Sequence, residues 1–191
     1  MFFSPLFWYR KMDAVLVGVS VLAAASSSTY FLRGETYERR PIFQPRNEAF
    51  GIWGAIFALG LVYAVRTWQV RERDAWLVAA SFLACAAWGP AFRSRQYGLA
   101  TVLLVLGAAF ALTHALRHPV DADVLRVLTR DLASSLLGGW LAIATLLGLA
   151  IWKPAFDTHA TLAVGGTVLV LLCAAFRNPL PVLPLLWATA L

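Results

Sequence analysis

The chain has 191 residues, of which 60% are apolar and only 14% charged, and its mean hydropathy is +0.70. A soluble domain of this length needs more polar surface, so the composition indicates an integral membrane protein. The net charge of +6 does not indicate nucleic-acid binding, because the basic residues stand singly or in pairs between apolar runs and form no basic face. We therefore expect membrane lipids as partners and no nucleic acid.

Six apolar runs predict membrane helices, because a spanning segment must satisfy its own backbone hydrogen bonds. The longest loop, 117–131, is expected to include a short amphipathic stretch. The tail 180–191 is also apolar, but it is rich in proline and too short to span about 30 Å of hydrocarbon at about 1.5 Å per residue. It is therefore either interfacial or the beginning of a seventh helix. The six runs are 14–32, 49–66, 75–92, 97–116, 132–152 and 159–176.

The first run has a second interpretation. Small residues at 23–25 follow the basic pair at 10–11 and a short apolar core, as they do in a secretory signal peptide. The run continues through the large residues at 30–32, which favours a retained membrane helix.

The approach to the second run combines stiffness with a helix start. Pro41 and Pro45 fix their own φ angles and disfavour helix in the residues before them, which indicates an extended segment. Asn47 can then cap a helix whose first turn carries Glu48, where a negative charge suits the helix dipole. We expect the second helix to begin close to Asn47.

Two different faces follow on this second helix. Phe50, Trp53 and Phe57 are spaced i, i+3 and i+7, so their three rings share one face. The opposite face of this helix predicts a contact surface for a partner helix. A homodimer is one arrangement that would supply such a partner. On that face, pairs of small residues allow a neighbouring helix to approach closely: Gly51 with Ala55, and Gly54 with Ala58.

Eight tryptophans are many for this length. Those near predicted helix ends fit an aromatic belt at the membrane–water interface: Trp8, Trp68, Trp76 and Trp152. Trp53, Trp88 and Trp140 lie within segments, where such a belt does not explain them.

The start of the second helix also carries a family pattern, Tyr37-x-x-x-Pro41-x-x-x-Pro45 followed by Phe50-x-Ile52-Trp53-Gly54. It resembles the TspO/MBR family, whose members are tryptophan-rich sensory proteins in bacteria and translocator proteins (peripheral benzodiazepine receptors) in mitochondria. The spelling is closer to a longer bacterial and plant branch than to the compact five-helix members.

The third helix ends in a segment similar to the family's Asn-Trp-x-Trp-Pro-Pro-x-Phe-Phe with its Arg-Gln-x-Gly turn. Two positions differ: Cys85 stands where the family usually has Asn, and Ala86 where it often has a second Trp. A ligand contact made by that Asn therefore cannot be transferred to this chain. The matching residues are Trp88, Pro90, Phe92, Arg95, Gln96 and Gly98.

The fifth helix agrees best with the family's Trp-x-x-Phe-Ala-Thr-x-Leu-Asn-x-x-x-Trp. In the family, the face that carries Trp140, Ala144 and Leu147 lines the ligand cavity. Gly148 replaces a second family Asn, and Leu149 replaces the Tyr of a cholesterol-associated pattern, which is thereby broken. The matching residues are Trp140, Ala144, Thr145, Leu147 and Trp152.

The resemblance covers residues 12–153 and implies an all-α, polytopic membrane protein with a five-helix TspO-like transmembrane bundle. We divide the chain into residues 1–153, the TspO/MBR-like domain, and residues 154–191, a sixth transmembrane helix with a short apolar tail. A multi-pass protein of a bacterial cell membrane is expected.

The resemblance also implies a sensor, receptor or transporter-like protein that binds flat hydrophobic ligands such as porphyrins, tetrapyrroles or sterol-like molecules. Indole rings beside small residues suit stacking on a planar macrocycle, and haem or protoporphyrin is the expected class of cofactor-like ligand. Arginines at the mouth can pair with propionates, or they can anchor their loop to lipid phosphates. The expected ligand-binding residues are Phe50, Trp53, Phe57, Trp88, Trp140, Ala144, Leu147, Arg39, Arg40 and Arg46.

The residues offer little for catalysis or metal binding. All carboxylates fall in loops or at predicted helix edges, where solvent is expected. His114 and His118 are spaced i, i+4 without a third ligand, which favours a polar helix cap over a metal site. Cys85 and Cys173 lie inside apolar helices and predict neither a disulfide nor a metal site.

Two alternatives to a binding protein stay open. One is an enzyme that degrades porphyrin by light-dependent oxidation with Trp residues as redox partners, which the sequence favours less. The other is a structural membrane subunit whose aromatic faces are filled by partner helices.

Overall fold

The computed structural model describes residues 5–28, 41–42, 47–70, 72, 74–118, 120 and 122–190, with the side chains of 5–10 and 47 left aside. This part of the chain is helical and contains no strand, so the predicted all-α fold is confirmed. Its helices are α1 (Pro5–Ser28), α2 (Ile52–Gln69), α3 (Ala75–Arg93), α4 (Tyr97–Arg117), α5 (Leu132–Trp152), α6 (His159–Ala175) and α7 (Leu183–Ala190).

The predicted multi-pass character is confirmed by length and composition. Five stretches are long and apolar enough to cross a membrane: Lys11–Ser28, Glu48–Gln69, Ala75–Arg93, Tyr97–Arg117 and Val124–Trp152. The predicted sixth span is shorter, since the 17 residues of α6 rise only about 25 Å. Three tryptophans of the predicted aromatic belt, Trp68, Trp76 and Trp152, lie exposed at helix ends.

The five long helices form a closed ring. α1 packs against α2 and α3, α3 against α4, α4 against α5, and α5 returns to α2. The interior of the ring is filled by large side chains with almost no exposure, among them Ile56, Tyr63, Phe82, Leu137 and Leu141. α6 lies outside the ring, packed on α5.

Two edges of the bundle can be told apart by contacts between helix ends. At the first edge, Arg117 of α4 pairs with Asp74 before α3, with 3.5 Å between Nη1 and Oδ2. At the second edge, Trp152 of α5 covers Gly98 of α4, where a Cβ would lie 3.0 Å from the indole. Successive helices therefore run in opposite directions, as short connections require.

Glycines permit close helix contacts, although not at the positions that the sequence suggested. A Cβ on Gly60 of α2 would lie 2.8 Å from Phe82 of α3 and 2.9 Å from Val21 of α1. A Cβ on Gly51 or Gly54 would meet nothing within 4 Å, and Ala55 and Ala58 are exposed as well. No described helix of this chain packs on that small-residue face, and a partner surface there stays a prediction.

The connection before α5 contains the short helical stretch expected in 117–131. Asp123 accepts a hydrogen bond from the backbone N–H of Leu125 at 2.9 Å, which begins a turn over Val124–Arg126. A π-helical turn, Val127–Asp131, leads directly into α5.

The tail folds back along α5. After α6 the chain makes a 3-10 turn at Leu180–Val182 and continues as α7. Gly139 of α5 makes room for it, because a Cβ there would collide with the Pro181 carbonyl. Leu185 and Ala188 of α7 pack against the core of the ring.

Candidate functional site

Four rings from α5, α2 and the 3-10 turn before α2 pack together at the core of the ring of helices, and we call Phe50, Trp53, Phe57 and Trp140 the aromatic cluster. The ring of Trp140 lies nearly perpendicular to that of Trp53, at a centroid distance of 6.4 Å, and to that of Phe50, at 5.6 Å. Trp53 and Phe57 are stacked at 5.3 Å with 18° between their planes. Such edge-to-face and offset contacts are the favoured arrangements of aromatic rings.

Local structure explains how the rings converge. Trp53 and Phe57 are one turn apart on α2, so their side chains lie one above the other. Phe50 belongs to the 3-10 turn Asn47–Gly51 that precedes α2, which brings its ring toward α5. Trp140 stands well inside α5 and is only 2% exposed. Trp53 is partly buried and packs against the core of the ring.

The other predicted residues of α5 continue the same face. Ala144 follows Trp140 after one turn and packs, partly buried, against the core of the ring. Leu147 comes one turn later and is buried. The face therefore leads from Trp140 toward the second edge.

Trp88 stands apart from the aromatic cluster. Its ring contacts Phe92 at 5.5 Å, and Phe92 contacts Tyr97 at 5.3 Å, which makes a second aromatic group at the second edge. Trp88 also packs against the core of the ring. Arg39, Arg40 and Arg46 lie outside the described residues, so their part in a site stays a prediction.

The two positions where the family's Asn is replaced have different surroundings. Cys85 is buried in the core of the ring, so this chain places a weakly polar thiol where the family has an amide. Gly148 faces α4, where a Cβ would lie 3.1 Å from Thr101 and 3.2 Å from Leu104. A larger residue at 148 would therefore require the side chains of Thr101 and Leu104 to shift.

A family model described as TSPO-like protein matches residues 14–190. The chain belongs to this TSPO-like family. The match extends over α6 and α7 as well as the ring, so the residues beyond 153 are part of the family's own pattern. Searches of curated proteins and of solved structures gave no match.

This TSPO-like chain holds a buried polar group that the sequence did not predict. His114 was expected to be a polar cap at the membrane edge, and it is instead 0% exposed. Its Nε2 lies 3.1 Å from Tyr63 Oη and its Nδ1 2.9 Å from Ser134 Oγ, so the imidazole joins α4 to α2 and α5. We call Tyr63, His114 and Ser134 the polar connector.

The hydrogen bonds of the polar connector form a consistent chain. The Ser134 hydroxyl donates to the Asp131 carbonyl at 3.4 Å, so it can accept from His114 Nδ1–H, while Nε2 accepts from Tyr63. Both ring nitrogens of His114 are thus used within the protein. Among the described residues there is also no group of three His, Cys, Asp or Glu that could hold a metal ion.

Three carboxylates depart from the expectation that acidic side chains face solvent. Asp131 is 1% exposed and pairs with its neighbour Arg130. Glu72 is buried and accepts from Arg66 Nε at 3.0 Å. Asp157 is buried at the second edge. Each occupies a loop or a helix end, as the sequence suggested, but solvent is replaced by a protein donor.

Proposed function

We propose that this TSPO-like protein is a membrane receptor that binds a flat, largely apolar ligand of the porphyrin or sterol-like class against the aromatic cluster. One observation supports this most directly. Four aromatic rings from α5, α2 and the turn before α2 are linked by ring contacts, and the most buried of them, Trp140, contacts both Phe50 and Trp53.

The ring geometry suits a planar ligand. Trp53 and Phe57 are stacked, while Phe50 and Trp53 lie nearly perpendicular to Trp140. A macrocycle that enters must exchange these ring contacts for its own, and each aromatic contact contributes about 0.5–1.5 kcal/mol. The free energy lost in ring contacts is close to the free energy gained in contacts with the ligand. The shape of the ligand and the polar groups at its rim therefore decide which molecule binds.

The small residue beside Trp140 gives a direct test. Ala144→Phe adds a ring next to the cluster and should weaken binding of protoporphyrin about tenfold, while the bundle stays folded because overpacking costs about 1–3 kcal/mol. Ala58→Phe is the matched control, since Ala58 is exposed on α2. Binding is measured by titrating the detergent-solubilised protein with protoporphyrin, haem and a sterol, and stability by thermal shift.

The outcomes separate the functions. Unchanged affinity in folded Ala144→Phe protein would place the ligand elsewhere. If no tetrapyrrole or sterol binds or stabilises the unaltered protein, the receptor proposal fails and a structural subunit is favoured. Consumption of protoporphyrin under light, lost when Trp53 or Trp140 becomes Phe, would instead identify an enzyme.

A further inference from the structure

We infer that Asp157 and Trp187, both in the region after α5, are positioning residues for the aromatic cluster. They bind the backbone at Ile42 and Ala49, on the approach to α2, and thereby fix the turn that carries Phe50. The consequence for a ligand depends on the proposed function; the positioning itself does not.

The contact between Asp157 and Ile42 lies at the second edge of the bundle. The backbone N–H of Ile42 donates to Asp157 Oδ1 at 2.8 Å, across 115 positions of sequence. Asp157 is 7% exposed and ends the 3-10 turn Pro154–Phe156 that leaves α5. Hydrogen bonds between an ionised carboxylate and a backbone N–H are stronger than neutral ones, and burial protects this one from water.

The second contact lies beside the aromatic cluster. The indole N–H of Trp187 donates to the Ala49 carbonyl at 3.1 Å, and Ala49 is 0% exposed. Ala49 directly precedes Phe50, whose ring is 5.6 Å from that of Trp140. A shift of the Ala49 carbonyl therefore shifts the ring that touches Trp140.

The helix that carries Trp187 is itself held firmly at its other end. The buried side chain of Asn178 donates to the Ala115 carbonyl of α4 at 2.7 Å and accepts from the backbone N–H of Leu180 at 3.1 Å. Pro181 then packs against Gly139 of α5. α7 is thus fixed to α4 and α5 before it reaches Ala49, so the ring of helices provides a rigid support for the contact.

Hydrogen exchange of the full-length protein, followed by mass spectrometry, tests the positioning without any ligand. In Asp157→Ala and in Trp187→Phe, peptides covering 41–51 should exchange roughly two- to tenfold faster, as expected for one lost hydrogen bond. Asp157→Asn keeps an acceptor oxygen and should restore slow exchange.

Two controls match these changes. Asp123→Ala removes the same kind of carboxylate–backbone bond, to Leu125, in the connection before α5, and should leave 41–51 unchanged. Trp76→Phe alters an exposed tryptophan on α3 and should also leave hydrogen exchange at 41–51 unchanged. Unchanged exchange at 41–51 in both test variants overturns the inference, and so does an equal acceleration in peptides of α3 and α4.

A ligand measurement separates this inference from the proposed function. Protoporphyrin should dissociate faster from Asp157→Ala and Trp187→Phe by a factor similar to the change in exchange, with Asp157→Asn close to the unaltered protein. If exchange responds as expected but protoporphyrin does not bind the unaltered protein, the positioning stands and the receptor proposal falls. If protoporphyrin binds and neither exchange nor dissociation changes, the receptor proposal stands and the positioning falls.

Discussion

The half of the bundle near its first edge and the half that holds the aromatic cluster are built from different contacts. The first half is joined by directional hydrogen bonds and ion pairs, through the polar connector and through Arg66, which reaches both Glu72 and Thr129. In the other half, hydrogen bonds hold the approach to α2 at Ile42 and Ala49, but α2 and α5 themselves meet through rings, whose contacts tolerate small displacements. A hydrogen bond in a dry interior allows little change in geometry. The first half is therefore suited to hold the helices in fixed positions, as a frame, and the second half is suited to bind a ligand.

The largest effect should come from breaking the frame. His114→Ala removes a fully buried side chain and leaves the Tyr63 and Ser134 hydroxyls without their shared partner, which should cost about 2–4 kcal/mol of unfolding free energy. His159→Ala is the control, because His159 is exposed at the start of α6. Unfolding in mixed micelles measures both. A loss below about 0.5 kcal/mol for His114→Ala would show that the polar connector is not a frame.

An intermediate effect is expected where the ring is tightest. Gly60→Val places a side chain against Phe82 and Val21 and should cost about 1–3 kcal/mol, because the neighbouring helices must separate. Gly54→Val makes the same change two turns earlier on α2, in open space, and should be close to neutral. Unfolding in mixed micelles measures the unfolding free energy of both variants. Equal losses would mean that β-branching in the helix, and not the contact with α1 and α3, sets the cost.

The smallest effect is expected for ligand binding in the half that holds the aromatic cluster. Replacing Arg39, Arg40 and Arg46 together with Gln should weaken protoporphyrin binding more than binding of an uncharged sterol, and more at low salt than at high salt. Exposed ion pairs contribute up to about 1 kcal/mol each, so a change of about tenfold is expected. Titration at two salt concentrations checks this. Equal losses for both ligands would assign the arginines to the membrane.

The sequence predicted the ring of helices well because single helices carry their own signals. The predicted fifth helix, 132–152, coincides with Leu132–Trp152, since Asp131 and Lys153 are charged residues at its two ends and Pro154 follows. α2 begins at Ile52, later than predicted, because the residues from Asn47 form a 3-10 turn first. Trp53 of α2 contacts Trp140 of α5, and a role of these rings in ligand binding stays a prediction.

Contacts between distant segments could not be predicted in the same way. His114 stands near the end of its apolar run, and nothing local shows that Tyr63 and Ser134 lie beside it once the ring closes. The tail presents a similar case: its composition predicted an apolar segment rich in proline, but not that Trp187 would reach Ala49. One signal in the sequence does point to such contacts: several of the apolar runs each contain a polar residue. Each of these polar residues needs a hydrogen-bond partner away from lipid.

The shortness of α6 has a consequence for the surrounding lipid. At about 25 Å, this helix is about 5 Å shorter than a typical hydrocarbon layer, whereas α4 and α5, with 21 residues each, are not. A sixth span made by α6 would require lipid on that flank to thin, at a fraction of a kcal/mol per Å, or the residues at its ends to bridge the difference, while lipid beside α4 keeps its normal thickness. To the bilayer the molecule would then be a wedge with one thin side, and two molecules that meet at their thin sides would share a single deformed patch where apart they would each make one.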